Sequence, residues 1–281
     1  MLRLFNLIAR LPLPLVQLLG AVLGLAHLFR QRTRLTIVDN LRFADLYSPW
    51  MLLRAAAGVG QGILEMIPIW LRPVEELLPW VRECHGWEHV EAARQRGHGL
   101  MVIAPHLGCH ELIGLYFASR LPMTALYRPP RHQWVHDLMK QGRERGWMTT
   151  VPTNRSGVRA LYSTLKRNEA VGILPDQIAG KGEGAWTTFL GQKAYMPTLP
   201  YRLLDSTQAT PLLFFCERLS WGRGFRLWIT PLPALPKEPV EALSAVNRQI
   251  EVLIRAHPEQ YLWTYRIQRS STRSRSREPV A

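Results

Sequence analysis

The 281-residue sequence has little cysteine, no serine-nucleophile motif and few long apolar runs. Its three cysteines (Cys84, Cys109 and Cys216) are too few for a disulfide framework and lack CxxC spacing, which argues against a zinc ribbon. Reduced thiols in a cytoplasm-facing protein are the simplest interpretation. One long uncharged stretch is too little for a polytopic membrane protein. An apolar content of 47% excludes a disordered chain. The length suits one sizeable core or two small domains at most.

Acidic residues are also scarce, numbering 21 against 35 Lys and Arg, so the net charge is +14. Lysine supplies only 5 of these cations and arginine 30. Because arginine binds phosphate and carboxylate groups through two parallel hydrogen bonds, the composition favours an anionic partner. A membrane surface, a nucleic acid and a phosphorylated substrate are the candidates, and a merely soluble arginine-rich surface is the alternative. No helix-turn-helix or aromatic RNA-binding motif supports a nucleic-acid partner.

The longest uncharged stretch, Leu11 to Phe29, lies near the N-terminus. As a helix it would rise about 28 Å, close to the roughly 30 Å of a hydrocarbon core. We therefore predict a membrane anchor with a basic flank over residues 1–34, and the arginines that follow it weakly place the next domain in the cytoplasm. Spanning and interfacial placements are both open. A cleaved signal peptide and a buried soluble helix are the alternatives.

Residues 35–80 show helical apolar spacing, and from residue 100 short apolar runs alternate with helical stretches. This pattern predicts one α/β domain over 35–266, with a largely parallel or mixed central sheet flanked by helices. The remaining segment, 267–281, is basic, lacks apolar periodicity and is predicted to be disordered. The predicted strands are 100–105, 123–128, 148–152, 170–175, 210–218 and 225–232, and the predicted helices are 110–119, 132–145, 156–167, 197–206 and 239–256.

Charged side chains follow two of the predicted strands. His106 lies in the turn after the first strand, and Glu111 follows in the first turn of a helix. Asp176 and Gln177 follow the strand at 170–175. A histidine with a carboxylate partner forms a general base, which without a nucleophilic serine would act directly on a substrate hydroxyl. A structural histidine beside a helix-capping glutamate would show the same spacing.

Histidine spacing also allows a metal site. Three pairs have i,i+4 spacing, and His106, His110 and Glu111 would supply three ligands of a zinc hydrolase. Because His106 follows Pro105 at a strand end, however, it is not expected to share a helical face with His110. The prediction is accordingly no metal and no cofactor.

Several motifs together resemble one family. HLGCHE, YRPP, KQGRERG, LPDQ, FLGQKAYMPTLPYRL and PEQYLWTYRI occur in this order behind an N-terminal apolar segment. This set resembles the late acyltransferases of bacterial lipid A biosynthesis, the lauroyl and myristoyl transferases. The resemblance implies a glycerolipid-acyltransferase-like fold at the cytoplasmic face of the inner membrane. It also implies transfer of an acyl chain from acyl carrier protein to a hydroxyl of a phosphorylated glycolipid, the lipid A precursor.

The resemblance also implies roles for five residues. His106 matches the catalytic base and Glu111 its acidic partner, while Arg143, Asp176 and Arg128 match residues that bind substrate. Two departures are visible: Cys109-His110 replaces the Asn-Trp that often precedes the glutamate, and Ile178 replaces an acidic residue after PDQ. Because the chain is also somewhat short, the acceptor could be another glycolipid. A non-catalytic basic membrane-binding protein is the remaining alternative.

Overall fold

The computed structural model describes residues 2–130, 132–265 and 267. The helices are α1 (Leu2–Arg10), α2 (Leu13–Ala26), α3 (Gln31–Phe43), α4 (Pro49–Leu71), α5 (Val74–Leu77), α6 (Trp87–Gln95), α7 (His110–Ala118), α8 (Gln133–Arg143), α9 (Arg155–Lys166), α10 (Leu199–Thr207) and α11 (Pro239–Ala256). The strands are β1 (Val81–His85), β2 (Leu100–Ile103), β3 (Met123–Tyr127), β4 (Met148–Pro152), β5 (Ala170–Ile173), β6 (Gly184–Phe189), β7 (Gln192–Pro197), β8 (Thr210–Arg218) and β9 (Phe225–Pro231). Short 3-10 turns cover His27–Phe29, Leu78–Trp80, Ser220–Gly222 and Pro258–Gln260.

Seven strands form the central sheet in the order β1-β9-β8-β2-β5-β3-β4. All neighbouring pairs are parallel except β8 and β9, which pair antiparallel. A separate antiparallel hairpin is formed by β6 and β7. The sheet therefore places β2 beside β5, and the carboxyl ends of these two strands lie next to each other.

The central strands β2 and β5 are buried on both faces, as the apolar runs predict for parallel strands. On β2, Met101 and Ile103 join a core with α9 and α11, while Leu100 and Val102 join a second core with α7. This division follows from the strand geometry, because successive side chains point to opposite faces. The prediction of a mixed α/β fold with a mostly parallel sheet flanked by helices is confirmed.

The N-terminal helices pack against α4. The close crossing of α2 and α4 requires glycine, because a Cβ at Gly24 would lie 2.0 Å from the Ala56 carbonyl oxygen and one at Gly60 would lie 2.0 Å from the Gly20 oxygen. A buried hydrogen bond joins the same helices, from Gln17 Nε2 to Glu65 Oε1 at 2.8 Å. This segment is therefore part of the folded body.

The predicted anchor of 19 uncharged residues is not one helix. It includes the break between α1 and α2, the 14 residues of α2 and a 3-10 turn, and the chain then bends by 100° into α3. Within the described residues, the single helix long and apolar enough to cross a membrane is α4, and 56% of its apolar 18-residue stretch is buried in the protein. The structure therefore gives no clear N-terminal span, and the predicted boundary after residue 34 falls inside α3.

Two strand regions were missing from the sequence prediction: β1 and the hairpin of β6 and β7. Both carry polar or exposed side chains at many positions, which hides their strand pattern. The predicted tail lies outside the described residues except for Ile267, which is buried in the core.

Candidate functional site

The site lies where β2 and β5 end side by side. His106 follows β2, and Asp176 follows β5. In the sheet, Ile103 pairs with Ile173, so the two extensions begin at the same level. The carboxyl edge of a parallel sheet is the usual place for a ligand crevice. Sheet order thus brings together two residues that are 70 positions apart in the sequence.

His106 is fixed by Asp176 through two hydrogen bonds. The ring Nδ1 lies 2.8 Å from Asp176 Oδ1, and the backbone N–H of His106 donates to Asp176 Oδ2 at 2.8 Å. On the other side, Gln177 Nε2 lies 3.0 Å from His106 Nε2. Because an amide nitrogen is only a donor and a carboxylate only an acceptor, this network assigns the proton to Nδ1 and leaves Nε2 as the acceptor. That is the tautomer of a general base.

Asp176 is buried, with 1% of its surface exposed. Burial alone would raise the pKa of its carboxyl group, but the adjacent His106 ring and its hydrogen bonds hold the pKa below its ordinary value. Asp176 therefore stays ionised and would stabilise an imidazolium on His106.

The turn at 106–109 needs a glycine. Gly108 has a φ of +61°, and a Cβ there would lie 2.1 Å from the Cys216 carbonyl oxygen. The backbone N–H of Cys109 donates to that oxygen at 2.9 Å. The turn is therefore seated directly on the end of β8, and α7 begins immediately after it.

Glu111 pairs with Arg143, not with His106. Arg143 donates from Nε to Glu111 Oε2 at 2.9 Å and from Nη2 to Glu111 Oε1. Trp70 Nε1 adds a third hydrogen bond at 3.1 Å. Burial would raise the pKa of Glu111, but Arg143 outweighs it and lowers the pKa to about 2. The expected His106–Glu111 contact is thus replaced by His106–Asp176, and Glu111 organises an arginine instead.

Two rings complete the surroundings of His106. The Tyr265 ring lies 5.1 Å from the imidazole and the His110 ring 5.0 Å. Burial and the nearby His106 lower the pKa of His110 to about 4, so His110 is neutral at neutral pH. Tyr265 is half-exposed, and burial, together with the Glu111 charge, raises the pKa of its hydroxyl group. Within 2–130, 132–265 and 267, no group of three or more His, Cys, Asp or Glu side chains is placed to hold a metal ion.

Of the five residues expected at the site, four lie in this arrangement: His106, Glu111, Arg143 and Asp176. Arg128 is exposed after β3, with no hydrogen bond or ion pair to the described part of the chain. The residue before it, Tyr127, bonds His136 instead, with 2.9 Å between Oη and Nε2.

Sequence reasoning did not assign Trp70, Tyr265 or Gln260. Gln260 and Tyr265 lie in the PEQYLWTY motif, which is part of the family resemblance but indicated no role for either residue. Trp70 lies on α4 within an apolar run and gave no signal of its own.

An α/β fold with an Asp-oriented histidine at the carboxyl edge of its sheet, and with an arginine held beside it, fits the class of group-transfer and hydrolytic enzymes that use a general base. The family assignment is more specific. The family model described as bacterial lipid A biosynthesis acyltransferase matches residues 2–269, and the chain belongs to this family. The protein is therefore an acyltransferase.

Curated relatives agree with this assignment. The lipid A biosynthesis palmitoleoyltransferase of Escherichia coli K12 is 28% identical over 268 residues, which cover 92% of this chain and 86% of the relative. The lipid A biosynthesis lauroyltransferase of the same organism is 26% identical over 269 residues, covering 92% and 87%. A lipid A biosynthesis acyltransferase of Haemophilus influenzae is 26% identical over 188 residues, covering 66% and 58%.

Proposed function

We propose that the protein is a membrane-bound O-acyltransferase that moves a fatty acyl chain from acyl carrier protein to a hydroxyl of a lipid A precursor. The observation that carries this proposal is the His106–Asp176 pair, whose hydrogen bonds leave Nε2 as a base. Family membership supports the reaction class, and the relatives named for lauroyl and palmitoleoyl transfer support a lipid A acceptor.

In the proposed reaction, the acceptor hydroxyl takes the place of the Gln177 amide at His106 Nε2. His106 removes the hydroxyl proton while the oxygen attacks the thioester carbonyl carbon. The C–S bond then breaks, and the imidazolium returns the proton to the departing thiolate. An ester forms and the carrier thiol is released, so no enzyme-bound acyl intermediate is needed.

Arg143 is the proposed electrostatic group. Glu111 holds its Nε and Nη2, and the Arg143 side chain is 28% exposed beside the site. A guanidinium group fixed in this way can stabilise a developing oxyanion or hold a phosphate of the acceptor without reorganising. The +14 charge of the chain suits both a phosphorylated lipid and an acidic carrier protein.

We also propose that the outer face of the N-terminal helices lies in the cytoplasmic leaflet of the inner membrane. An open apolar hollow of about 620 Å³ is lined by the end of α2, by Leu53 of α4 and by Arg34 of α3. Apolar side chains on this face are exposed in a number unusual for a soluble surface: Leu4, Leu7, Leu15, Leu18, Leu19, Val22, Leu23, Leu25 and Phe29. Because the opposite face of α2 is buried against α4, an interfacial placement fits better than a lone spanning helix.

The test uses purified full-length protein in mixed micelles with a tetra-acylated lipid A precursor. A mixture of acyl carrier protein thioesters is supplied, and the mass of the lipid is measured by mass spectrometry. We expect a mass gain of one acyl chain, absent in His106→Ala and retained in the control His98→Ala, which changes an exposed histidine.

Other outcomes are informative. Equal transfer by His106→Ala would overturn the mechanism. Transfer from coenzyme A thioesters but not from carrier protein would overturn the proposed donor. No transfer to this acceptor but transfer to another glycolipid would overturn the proposed acceptor. Salt-sensitive vesicle binding without transfer to any acceptor would favour the non-catalytic alternative.

A further inference from the structure

The PEQYLWTY motif lies at the back of the site and has no role in the proposed reaction. It forms the segment 258–265, which follows α11 and passes between α4 and the 106–109 turn. α4 approaches it closely, because a Cβ at Gly58 would lie 1.8 Å from the Glu259 carbonyl oxygen. The segment is thus wedged between the N-terminal helices and the site.

Two backbone hydrogen bonds join this segment to the turn that carries His106. Gly108 N–H donates to the Gln260 carbonyl oxygen at 3.0 Å, and Leu262 N–H donates to the His106 carbonyl oxygen at 2.9 Å. Together these two bonds make an antiparallel bridge between Leu107 and Tyr261. The His106 backbone is therefore paired as if in a short strand, with 258–265 as its partner.

The side chain of Gln260 fixes this partner to the sheet. Its Oε1 accepts from the backbone N–H of Arg218 at 2.8 Å, and its Nε2 donates to the Arg218 carbonyl oxygen at 3.2 Å. One amide thus satisfies both backbone groups at the last residue of β8. The rigid carboxamide fixes the distance between β8 and 258–265, and the turn is bonded to both.

Further along the segment, contacts reach the dyad itself. The Tyr261 hydroxyl is 3.4 Å from the Asp176 carbonyl oxygen. Asn40 of α3 donates to the carbonyl oxygens of Trp263 and Tyr265 at 2.7 Å and 2.5 Å, and the Tyr265 ring lies against His106. The segment is therefore held at both ends and touches both members of the dyad.

We propose that Gln260 is a positioning residue that acts through the backbone of the 106–109 turn to aim the His106 ring at its substrate. Gln260 makes no contact with the imidazole. Its two hydrogen bonds set where the turn lies relative to β8, and therefore whether Nδ1 and the backbone N–H of His106 can reach Asp176 together. This inference rests on the proposed role of His106 as the base.

The test compares Gln260→Met, which keeps the length of the side chain but removes both hydrogen bonds, with Asn247→Leu. Asn247 is buried, whereas Gln260 is partly buried, and it too bonds a backbone oxygen, that of Thr188, but it lies on α11 and has no bond to the turn. We expect Gln260→Met to lower kcat about tenfold with little change in KM, since small misplacements of a reacting group cost rate more than binding. Asn247→Leu is expected to lower the melting temperature and leave kcat unchanged.

A second readout does not depend on turnover. The low-field proton resonance of His106 Nδ1–H, assigned by its loss in His106→Asn, should shift in Gln260→Met and remain in place in Asn247→Leu. A shift in a protein whose transfer does not need His106 would mean that the positioning is real but the proposed base is wrong.

Two outcomes would overturn the inference: a folded Gln260→Met with wild-type kcat and an unshifted resonance, or an equal loss of kcat in Asn247→Leu. If Gln260→Met does not fold, Gln260→Glu replaces it. This variant retains the acceptor for Arg218 N–H but sets a carboxylate against the Arg218 carbonyl oxygen, so we expect a smaller loss of kcat. Full activity of a folded Gln260→Glu would also overturn the inference.

Discussion

Two glutamate–arginine pairs in this protein have the same chemistry and different surroundings. Glu111–Arg143 and Glu65–Arg218 are both held by two parallel hydrogen bonds, and each glutamate accepts a third, from Trp70 or Gln17. The Arg143 side chain is 28% exposed, whereas that of Arg218 is 5% exposed. A buried pair needs both partners but is a weak source of stability. We infer that the first pair holds an arginine ready for substrate and that the second connects three elements of the fold.

The sharpest test of this comparison asks which carboxylate supports the base. Asp176→Asn should lower kcat by about 10²- to 10⁴-fold, because a neutral partner neither fixes the tautomer nor stabilises the imidazolium. It should also shift the low-field resonance of His106 Nδ1–H, because the acceptor of that proton is then a neutral amide oxygen in place of a carboxylate.

Glu111→Gln is the matched variant. It should reduce the rate through Arg143 and leave the His106 Nδ1–H resonance in place. If the resonance shifts in Glu111→Gln and not in Asp176→Asn, Glu111 is the partner of the base, as the family resemblance implied.

The next largest effect concerns the buried pair. Glu65→Leu should lower the free energy of unfolding by about 3–5 kcal/mol, because it leaves the Arg218 guanidinium buried without its counterion. The molecules that remain folded should still transfer acyl chains, which separates this pair from Glu111–Arg143. Chemical denaturation with a parallel activity assay measures both.

The double variant Glu65→Leu/Arg218→Met is the control for that experiment. It should recover part of the lost stability, because no charge is then buried alone. A loss below about 1 kcal/mol in the single variant would show that the pair is solvated.

A third test uses the titratable neighbour of the exposed pair. Burial lowers the pKa of His110 from 6.5 to about 4, so the folded protein resists a proton that the unfolded chain accepts. The contribution of His110 to stability is therefore present above pH 6.5 and is lost as the pH falls from 6.5 towards 4. Wild type should therefore lose up to about 3 kcal/mol of unfolding free energy between pH 6.5 and 4 that His110→Asn does not lose. The measurement is the free energy of unfolding of both proteins as a function of pH. The same pH dependence of the unfolding free energy in both proteins would contradict the burial of His110.

The smallest effects come from the third hydrogen bond of each pair. Trp70→Phe removes the donor to Glu111 and should slow transfer by less than about tenfold, in line with one bond to a charged group. Gln17→Leu removes the donor to Glu65 and should lower the melting temperature without changing the rate per folded molecule. If both variants slow transfer to the same extent, the two pairs do not differ in function as inferred.

The sequence was enough for six of the seven strands of the central sheet but not for the partners within the site. Buried strands such as β2 and β5 are continuous apolar runs, so their positions follow from the sequence alone. The exposed β1 and the polar hairpin lack that signal. Glu111 was the natural partner for His106 because it lies five residues away. The contact with Asp176 depends on strand order, which local patterns do not encode.

The role of the segment 258–265 was not predicted from the sequence, for a related reason. Gln260 is one polar residue in an aromatic motif, and its two bonds go to the backbone of Arg218. Because nearly every residue type has the same backbone groups, the sequence does not indicate which backbone a side chain will bond. A motif can therefore be recognised as unusual while its contacts stay unknown.

The Gln17–Glu65–Arg218 cluster also bears on how the chain is made. Gln17 bonds Glu65, and Glu65 receives its counterion from a residue 153 positions later. During synthesis, α2 and α4 are therefore complete long before the arginine that neutralises the carboxylate between them emerges from the ribosome. Until β8 arrives, the N-terminal third has an unpaired acid at its centre and an apolar outer face. A fragment that ends before residue 218 should consequently depend more on chaperones or lipid to stay soluble than the full chain, which supplies the counterion.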